Sequence, residues 1–526
     1  MVDPALASRL QFALTTIVHI VFPVMSMGLA PFLVYFTWKS IRSSDPLWER
    51  QRRFWTRIFA VSFVVGTVTG LVLEFEFGTN FAAFATFAGE LFGGPLAVEG
   101  MMAFFLEATF LGIFVFGRER VDDVLYMVSA VAVGLGTWLS AVWILIANSW
   151  MQTPRGYELA RRNGQPVVTL VDPVAAYLNP RFPWMFVHMQ SAAVLSVALF
   201  VAGTAAYFVS RSSGGLGANG GRQRERRDET DLIPDSSVTV GETDPSTAAG
   251  ESPTGGASTG TDDERFWRTS LKVALVVLLV TAPFQVVHGD SYARHVAETQ
   301  PQKFAAMEAQ YETDAPAALH LVAIPTDPSA FTDPRAENLW TIDIPALASI
   351  LASGGDPSYA VQGLDEFEGS PPVAIVFWSF RAMVLLGFWF AALAVWGAYR
   401  WRHGDLFTNR RLHLALMAST PLGFVAVETG WIVTEVGRQP WVVQGLLRTE
   451  SGVSPGLTGI EATLTLVGFG IVYTGLLVGY GYVVRRLFRA GPPEIESADE
   501  SASDGAQRRG SRPDDETATA EVSGDD

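Results

Sequence analysis

Nine apolar runs, each close to the ~20 residues that an α-helix needs to cross a bilayer, recur between residues 11 and 484. A soluble fold of this size has no use for so many. They predict an all-α, polytopic membrane protein of about nine transmembrane helices, roughly 11–37, 57–77, 95–116, 124–150, 184–209, 269–288, 373–399, 412–434 and 458–484. A mean hydropathy of +0.25 agrees. No cleavable signal peptide is expected before the first span.

The loops between the spans sort by positive charge. Lys39, Arg42, Arg50, Arg52, Arg53 and Arg57 fall in one, and Arg118 and Arg120 in the next even-numbered one; Arg400, Arg402, Arg410 and Arg411, then Arg485, Arg486 and Arg489, continue the pattern. All lie on one side, which the positive-inside rule makes cytoplasmic. The N-terminus is therefore expected outside and the C-terminus inside. Loops 78–94, 151–183, 289–372 and 435–457 then face out.

The net charge of −16 is concentrated rather than spread. Residues 211–265 carry 11 acids and 6 arginines, and residues 491–526 carry 11 acids and 3 arginines. These Gly/Ser/Thr/Asp-rich stretches read as a disordered, acidic cytoplasmic insertion and a disordered, acidic cytoplasmic tail. Helices 1–5 then occupy 1–210, helix 6 occupies 266–288, and helices 7–9 occupy 373–490. No nucleic-acid partner is expected of such a chain. Three lysines beside 34 arginines, with the acidic surface, suggest a salt-loving organism. Cysteine is absent, so any redox chemistry needs a carrier other than thiolates, disulfides or iron–sulfur clusters.

Ionisable groups inside a span are costly and usually line a site or a water path. His19 and His188 are the two of seven histidines within a span and clear of its ends. His19 lies about eight residues into the first helix, roughly 12 Å deep at the α-helical rise. A lone membrane histidine commonly bonds a neighbouring helix, but two in the outer halves of separate helices are harder to set aside. Glu99 and Glu107 in the third span are about 80° apart in azimuth and ~12 Å in depth, on one broad face. They suit a proton relay, a metal site or a neutral structural carboxyl. Ser140 and Asn148 in the fourth span suit a wet path or ordinary helix packing. The seventh span holds Arg381 and Met383 about ten residues from its outer end. Methionine is ordinarily packing material, but beside a buried arginine and opposite a histidine it is a candidate axial ligand of haem.

The eighth span ends in Gly430-Trp-Ile-Val-Thr-Glu-Val-Gly-Arg-Gln-Pro-Trp441. On a helix Trp431, Glu435 and Arg438 share a face, and Pro440 stops the helix. Spacing alone also fits an interfacial anchor. The wording Gly437-Arg-Gln-Pro-Trp441, followed by Leu447-Arg-Thr449, resembles the signature of subunit I of the cytochrome bd-type quinol oxidases, and the resemblance extends over nearly all the spans.

That resemblance implies specific roles. His188 and Met383 correspond to the ligands of a low-spin haem b, with Arg381 as its neighbouring arginine. His19 and Glu435 correspond to the residues serving two high-spin haems, one of b type and the other haem d or a further haem b. Glu99, Glu107 and Ser140 correspond to residues near that pair or on proton and oxygen routes, and Trp431, Arg438 and Arg448 to its surroundings. Loop 289–372 becomes an outer quinol-binding loop of the short form, in which Lys303 and Glu308 are implicated in quinol oxidation. Five residues apart, those two do not face each other on a helix, and a solvated amphipathic helix fits the spacing equally well. A homologous second membrane subunit, membrane quinol and O2 are the implied partners. Quinol oxidised outside would release its protons there, while protons for reducing O2 to water would come from the cytoplasm towards Glu107 and Glu99, generating proton motive force without pumping. An ion-coupled secondary transporter using the intramembrane carboxylates is the alternative, and a haem-anchoring electron-transfer subunit without oxygen chemistry is a third reading.

Overall fold

A computed structural model of the chain describes residues 3–212, 258–325 and 337–494. The helices are α1 (Pro4–Arg42), α2 (Pro46–Thr79), α3 (Ala82–Phe87), α4 (Gly89–Val98), α5 (Phe104–Phe116), α6 (Asp123–Gln152), α7 (Pro173–Tyr177), α8 (Phe182–Ser212), α9 (Ser258–Thr299), α10 (Pro301–Glu308), α11 (Leu347–Ser353), α12 (Val373–Arg402), α13 (Arg410–Ser419), α14 (Leu422–Val436) and α15 (Gly459–Ala490). Among the described residues, eight helical stretches are long and apolar enough to cross a membrane. The remaining expected span, 95–116, is helical but divided, with α4 and α5 joined by a π-helical turn over Glu99–Ala103. Most of the acidic insertion and the acidic tail expected from sequence lie outside the described residues.

Polar residues set where the rods begin. Asp3, Asp45, Asp122 and Asn409 each accept a backbone N–H of the first turn that follows, and Thr458 with Glu461 closes a capping box on α15. Each satisfies donors that a helix start leaves without partners. The bundle is centred on α8, where 72% of the apolar window is buried, against 11% for the peripheral α15. Close approach to α8 rests on small residues. A Cβ on Gly28 of α1 would collide with Ala193 O and Val197 of α8, and one on Gly423 of α14 would lie 2.6 Å from Ser196 Cα. Glycine at such seams lets membrane helices pack backbone to backbone.

One end of the bundle is an aromatic plug. Phe54 and Trp55 at the start of α2, Phe208 near the end of α8, Phe266 and Trp267 at the start of α9 and Phe488 near the end of α15 pack together, with Phe208 stacked on Trp267 at 4.2 Å. Gln51 ties this end by donating to Phe266 O (2.7 Å) and accepting from Ser270 and Trp55. These helix ends therefore lie on one side, the side that carries the arginine-rich loops.

The opposite side departs from the sequence expectation in three ways. First, α9 does not stop at 288 but runs to Thr299, because its polar continuation packs on α8 instead of facing solvent. Second, the span expected over 412–434 is broken between Ser419 and Leu422, where Pro421 cannot continue the α13 ladder. Third, the all-α expectation needs three antiparallel hairpins added: β1 (Tyr157–Arg162) with β2 (Gln165–Leu170), β3 (Leu319–Pro325) with β4 (Asn338–Ile344), and β5 (Trp441–Val443) with β6 (Leu447–Arg448). The first turns at Asn163-Gly164, both at positive φ. Asn-Gly is a strong hairpin signal that was available in the sequence.

Candidate functional site

The signature stretch forms the floor of the site. Arg438 Nη2 donates to Glu435 Oε2 at 2.5 Å, and Asn148 Nδ2 of α6 donates to Glu435 Oε1 at 2.8 Å. Arg438 Nε donates on to Trp441 O, which fixes the turn after α14. Trp431 packs on the facing side of α14 among residues of α1, α6 and α8. Arg448 is set apart: its side chain is half exposed over the Trp441 ring, 4.0 Å from the exposed Glu368.

The loop helix α10 sits on this floor, and residues 302–308 are all buried. The solvated amphipathic helix that the spacing also allowed is not what forms. Lys303 Nζ donates to Gln152 Oε1 and, at 3.0 Å, to Thr434 O, and its stem passes Gly437, where a Cβ would lie 3.0 Å from Lys303 Cγ. Burial, reinforced by Arg181 and Arg438 as like charges, holds the Lys303 ammonium well below its ordinary pKa. Glu308 points the other way, accepting from Arg381 Nη2 at 2.6 Å in a pair of which both side chains are buried. Arg381 also donates twice to His320 O. Lys303 and Glu308 thus do not face each other, as their spacing predicts, but between them they join the loop to α6, α14 and α12.

The candidate ligands occupy separate seams. His188 on α8 meets α9 through Gln285 Nε2 (3.1 Å), His288 (3.4 Å between Nδ1 atoms) and the Tyr292 ring (5.5 Å between centroids). Met383, two residues after Arg381, has its Sδ where a Cβ on Gly430 would be 3.0 Å away. His19 Nδ1 lies 2.9 Å from Thr69 Oγ1, and its ring lies against Gly70. Ser140 donates to Glu99 Oε1 at 2.6 Å, which joins α6 to the π-helical turn. Glu107 lies on α5, but its side chain falls outside the described residues.

Sequence reasoning passed over several residues that the fold brings here. Glu428, seven residues before Glu435 on α14, has both carboxylate oxygens buried without a partner among the described residues. Glu76 on α2 is buried and accepts from Thr15 at 2.5 Å. Both stand in apolar runs, so the rule that singled out Glu99 would have found them. Arg181, His288 and Tyr292 gave no such signal, since they lie at or beyond expected span ends. Arg181 precedes α8, is 2% exposed and places its guanidinium over the Tyr292 ring at 5.1 Å.

The family described as cytochrome bd terminal oxidase subunit I matches this sequence over residues 7–230 and 255–492. The cytochrome bd ubiquinol oxidase subunit 1 of Bacillus subtilis is 30% identical over 484 residues, covering 89% of each chain. The cytochrome bd-II ubiquinol oxidase subunit 1 of Escherichia coli is 28% identical, covering 93% of this chain and 97% of that protein. Among solved structures, a chain of the bd oxidase from Geobacillus thermodenitrificans matches with a TM-score of 0.75 at 27% identity, over 93% of this chain and 99% of that one.

Proposed function

This chain belongs to the family of cytochrome bd terminal oxidase subunit I, and from that membership we propose that it carries the haem and quinol sites of a membrane quinol:oxygen oxidoreductase. It is a multi-pass membrane protein, a setting that in bacteria is the plasma membrane. The transporter reading falls away with membership of an oxidase family.

The observation that carries the proposal is the double attachment of α10. Through Lys303 the loop reaches the ends of α6 and α14, and through Glu308 it reaches Arg381, two residues from Met383. A quinol bound at that loop would therefore meet the helices that bear the candidate ligands. His188 and Met383 would hold a low-spin haem b; His19 and Glu435 would serve a high-spin haem b and a haem d, or a further haem b. Two features fit such a group: Gly430 and Gly70 leave bare backbone beside Met383 and His19, and the buried cations near Glu435 exceed the buried acids. Bound haem supplies one-electron transfer from quinol and the reduction of O2.

The chain's own residues do the rest. Lys303 and Glu308 orient the quinol and accept its protons on the outer side. Glu99, held by Ser140, and Glu107 carry protons from the cytoplasm, so charge separates without a pump. Trp431 and Arg438 support the floor of the site, and Arg448 covers the Trp441 ring beside it. Residues 1–210, 266–288 and 373–490 form the membrane part, 289–372 the quinol loop, and 211–265 and 491–526 acidic cytoplasmic segments. A homologous second subunit completes the enzyme.

The test is the dithionite-reduced minus air-oxidised visible spectrum of the purified complex, repeated under carbon monoxide. Haem b bands with a gas-sensitive far-red band are expected for a b-plus-d enzyme, and gas-sensitive b bands alone for a b-only relative. A complex without haem bands, prepared under conditions that retain haem in a related oxidase, defeats the proposal.

A further inference from the structure

The outer half of the bundle buries three cations around a single acid. Arg181, Lys303 and Arg438 are 2%, 2% and 4% exposed. They lie close enough for Arg181 and Arg438 both to act on Lys303 as like charges, with Glu435 as the opposing carboxylate. Glu435 is already engaged by Arg438 and Asn148. Lys303 is satisfied by neutral oxygens. Arg181 Nε and Nη1 and Arg438 Nη1 are buried without a partner among the described residues.

Such an arrangement is unstable as it stands. A buried guanidinium without an anion keeps the full cost of its desolvation. The neighbouring Arg381 shows the contrast, since Glu308 neutralises it within the same half of the bundle. The free donors of Arg181 and Arg438 therefore call for an anion from outside this chain. A carboxylate is the shape that the arginine fork receives best, through two parallel hydrogen bonds. Position narrows the source. The guanidinium of Arg181 lies 5.1 Å over the Tyr292 ring, and that ring lies 5.5 Å from the His188 imidazole. The free donors of Arg181 are thus one side chain away from a candidate iron ligand.

We propose that Arg181, with the free Nη1 of Arg438, is the seat of a carboxylate side chain of the haem held at His188. The inference rests on the haem reading above. It makes Arg181 a cofactor-binding residue and gives Lys303 a charged neighbour that haem loading neutralises. Haem binding and the seating of α10 on Lys303 then support each other, because the anion relieves the repulsion that Lys303 meets.

The test uses the purified, haem-loaded complex and its Arg181→Gln and Arg181→Lys variants. Spectroelectrochemical titration of the low-spin haem b reads the first effect. Loss of a nearby positive charge favours the oxidised, more positive iron, so the midpoint potential of Arg181→Gln falls, and Arg181→Lys recovers most of the shift. A Gln variant with full haem content and an unmoved midpoint overturns the proposal. Should that variant fail to assemble, resonance Raman of Arg181→Lys decides. The haem carboxylate bending band must shift when a two-pronged donor becomes a single ammonium, and an unshifted band overturns the proposal. A wild-type midpoint that tracks added inorganic phosphate would mean that a free anion sits on these donors, which also overturns it. A wild-type complex without haem bands defeats the oxidase reading itself and is seen before any variant is made.

Discussion

Lys303 places an ammonium among neutral oxygens and two arginines, and this has a measurable consequence in pH. In the unfolded chain a lysine stays protonated to about pH 10.4. In the fold, burial and then Arg181 and Arg438 hold its pKa well below that. Between the folded and unfolded values the unfolded chain binds more protons, so stability rises with pH across that interval. Replacing Lys303 by Met removes this contribution. Apparent melting temperatures of the two proteins, followed from about pH 7 to about pH 10, are expected to show the wild type gaining on Lys303→Met as pH rises; parallel profiles would mean that Lys303 titrates normally. The same residue marks the limit of sequence reading. His19, His188 and Met383 could be nominated because polar or sulfur-bearing groups stand out in apolar helices, and Glu435 because it adjoins the signature wording. That Lys303 turns to Gln152 while Glu308 turns to Arg381 was not, because the partners lie 151 and 73 residues away. Arg181 was invisible for a related reason: nothing local to Pro180-Arg-Phe182 distinguishes a buried arginine from an interfacial one.

At the level of elements, hydropathy located the spans but not their ends or breaks. It measures how much hydrocarbon a stretch tolerates, and α9 continues past its apolar part because tertiary contacts with α8 replace solvent. The π-helical turn at Glu99–Ala103 likewise leaves no mark in an apolar profile. The glycine seams do make a prediction. A valine at Gly28 would drive its Cβ into Ala193 O of α8, and one at Gly203 would bring its Cβ to 2.6 Å from Leu416 O on α13. Backbone atoms cannot rotate away, so each substitution should separate helices at a cost of about 1–3 kcal/mol or more. Gly470 on α15 is the control, since the nearest heavy atom is Leu14 Cδ2 at 3.9 Å. Gly470→Ala is expected to leave the melting temperature unchanged or raise it slightly through better helix propensity. Melting curves in one detergent test the set, and equal losses for all three would show that the seams are not where the bundle is tight.

The whole molecule has two chemically distinct ends. One holds the aromatic plug and the arginine-rich loops, and the other holds α10, the signature turn and the hairpins. The proposed energy conservation depends on which end faces the cytoplasm, because in that proposal quinol protons leave on the side where α10 lies. Arginine and lysine counts assign the plug end to the cytoplasm. The chain contains no cysteine, so single cysteines report on topology with no background from this subunit. Ser44, between α1 and α2, and Ser358, in the loop between α11 and α12, are both exposed. In intact cells a membrane-impermeant maleimide is expected to label Ser358→Cys and to spare Ser44→Cys until the membrane is opened. The reverse pattern would invert the topology and put quinol proton release in the cytoplasm. Electron transfer from a quinol at Lys303 and Glu308 towards His188 would survive that result, but the charge separation would change sign, since an inverted molecule turns the proton path through Glu99 and Glu107 to the opposite side together with α10.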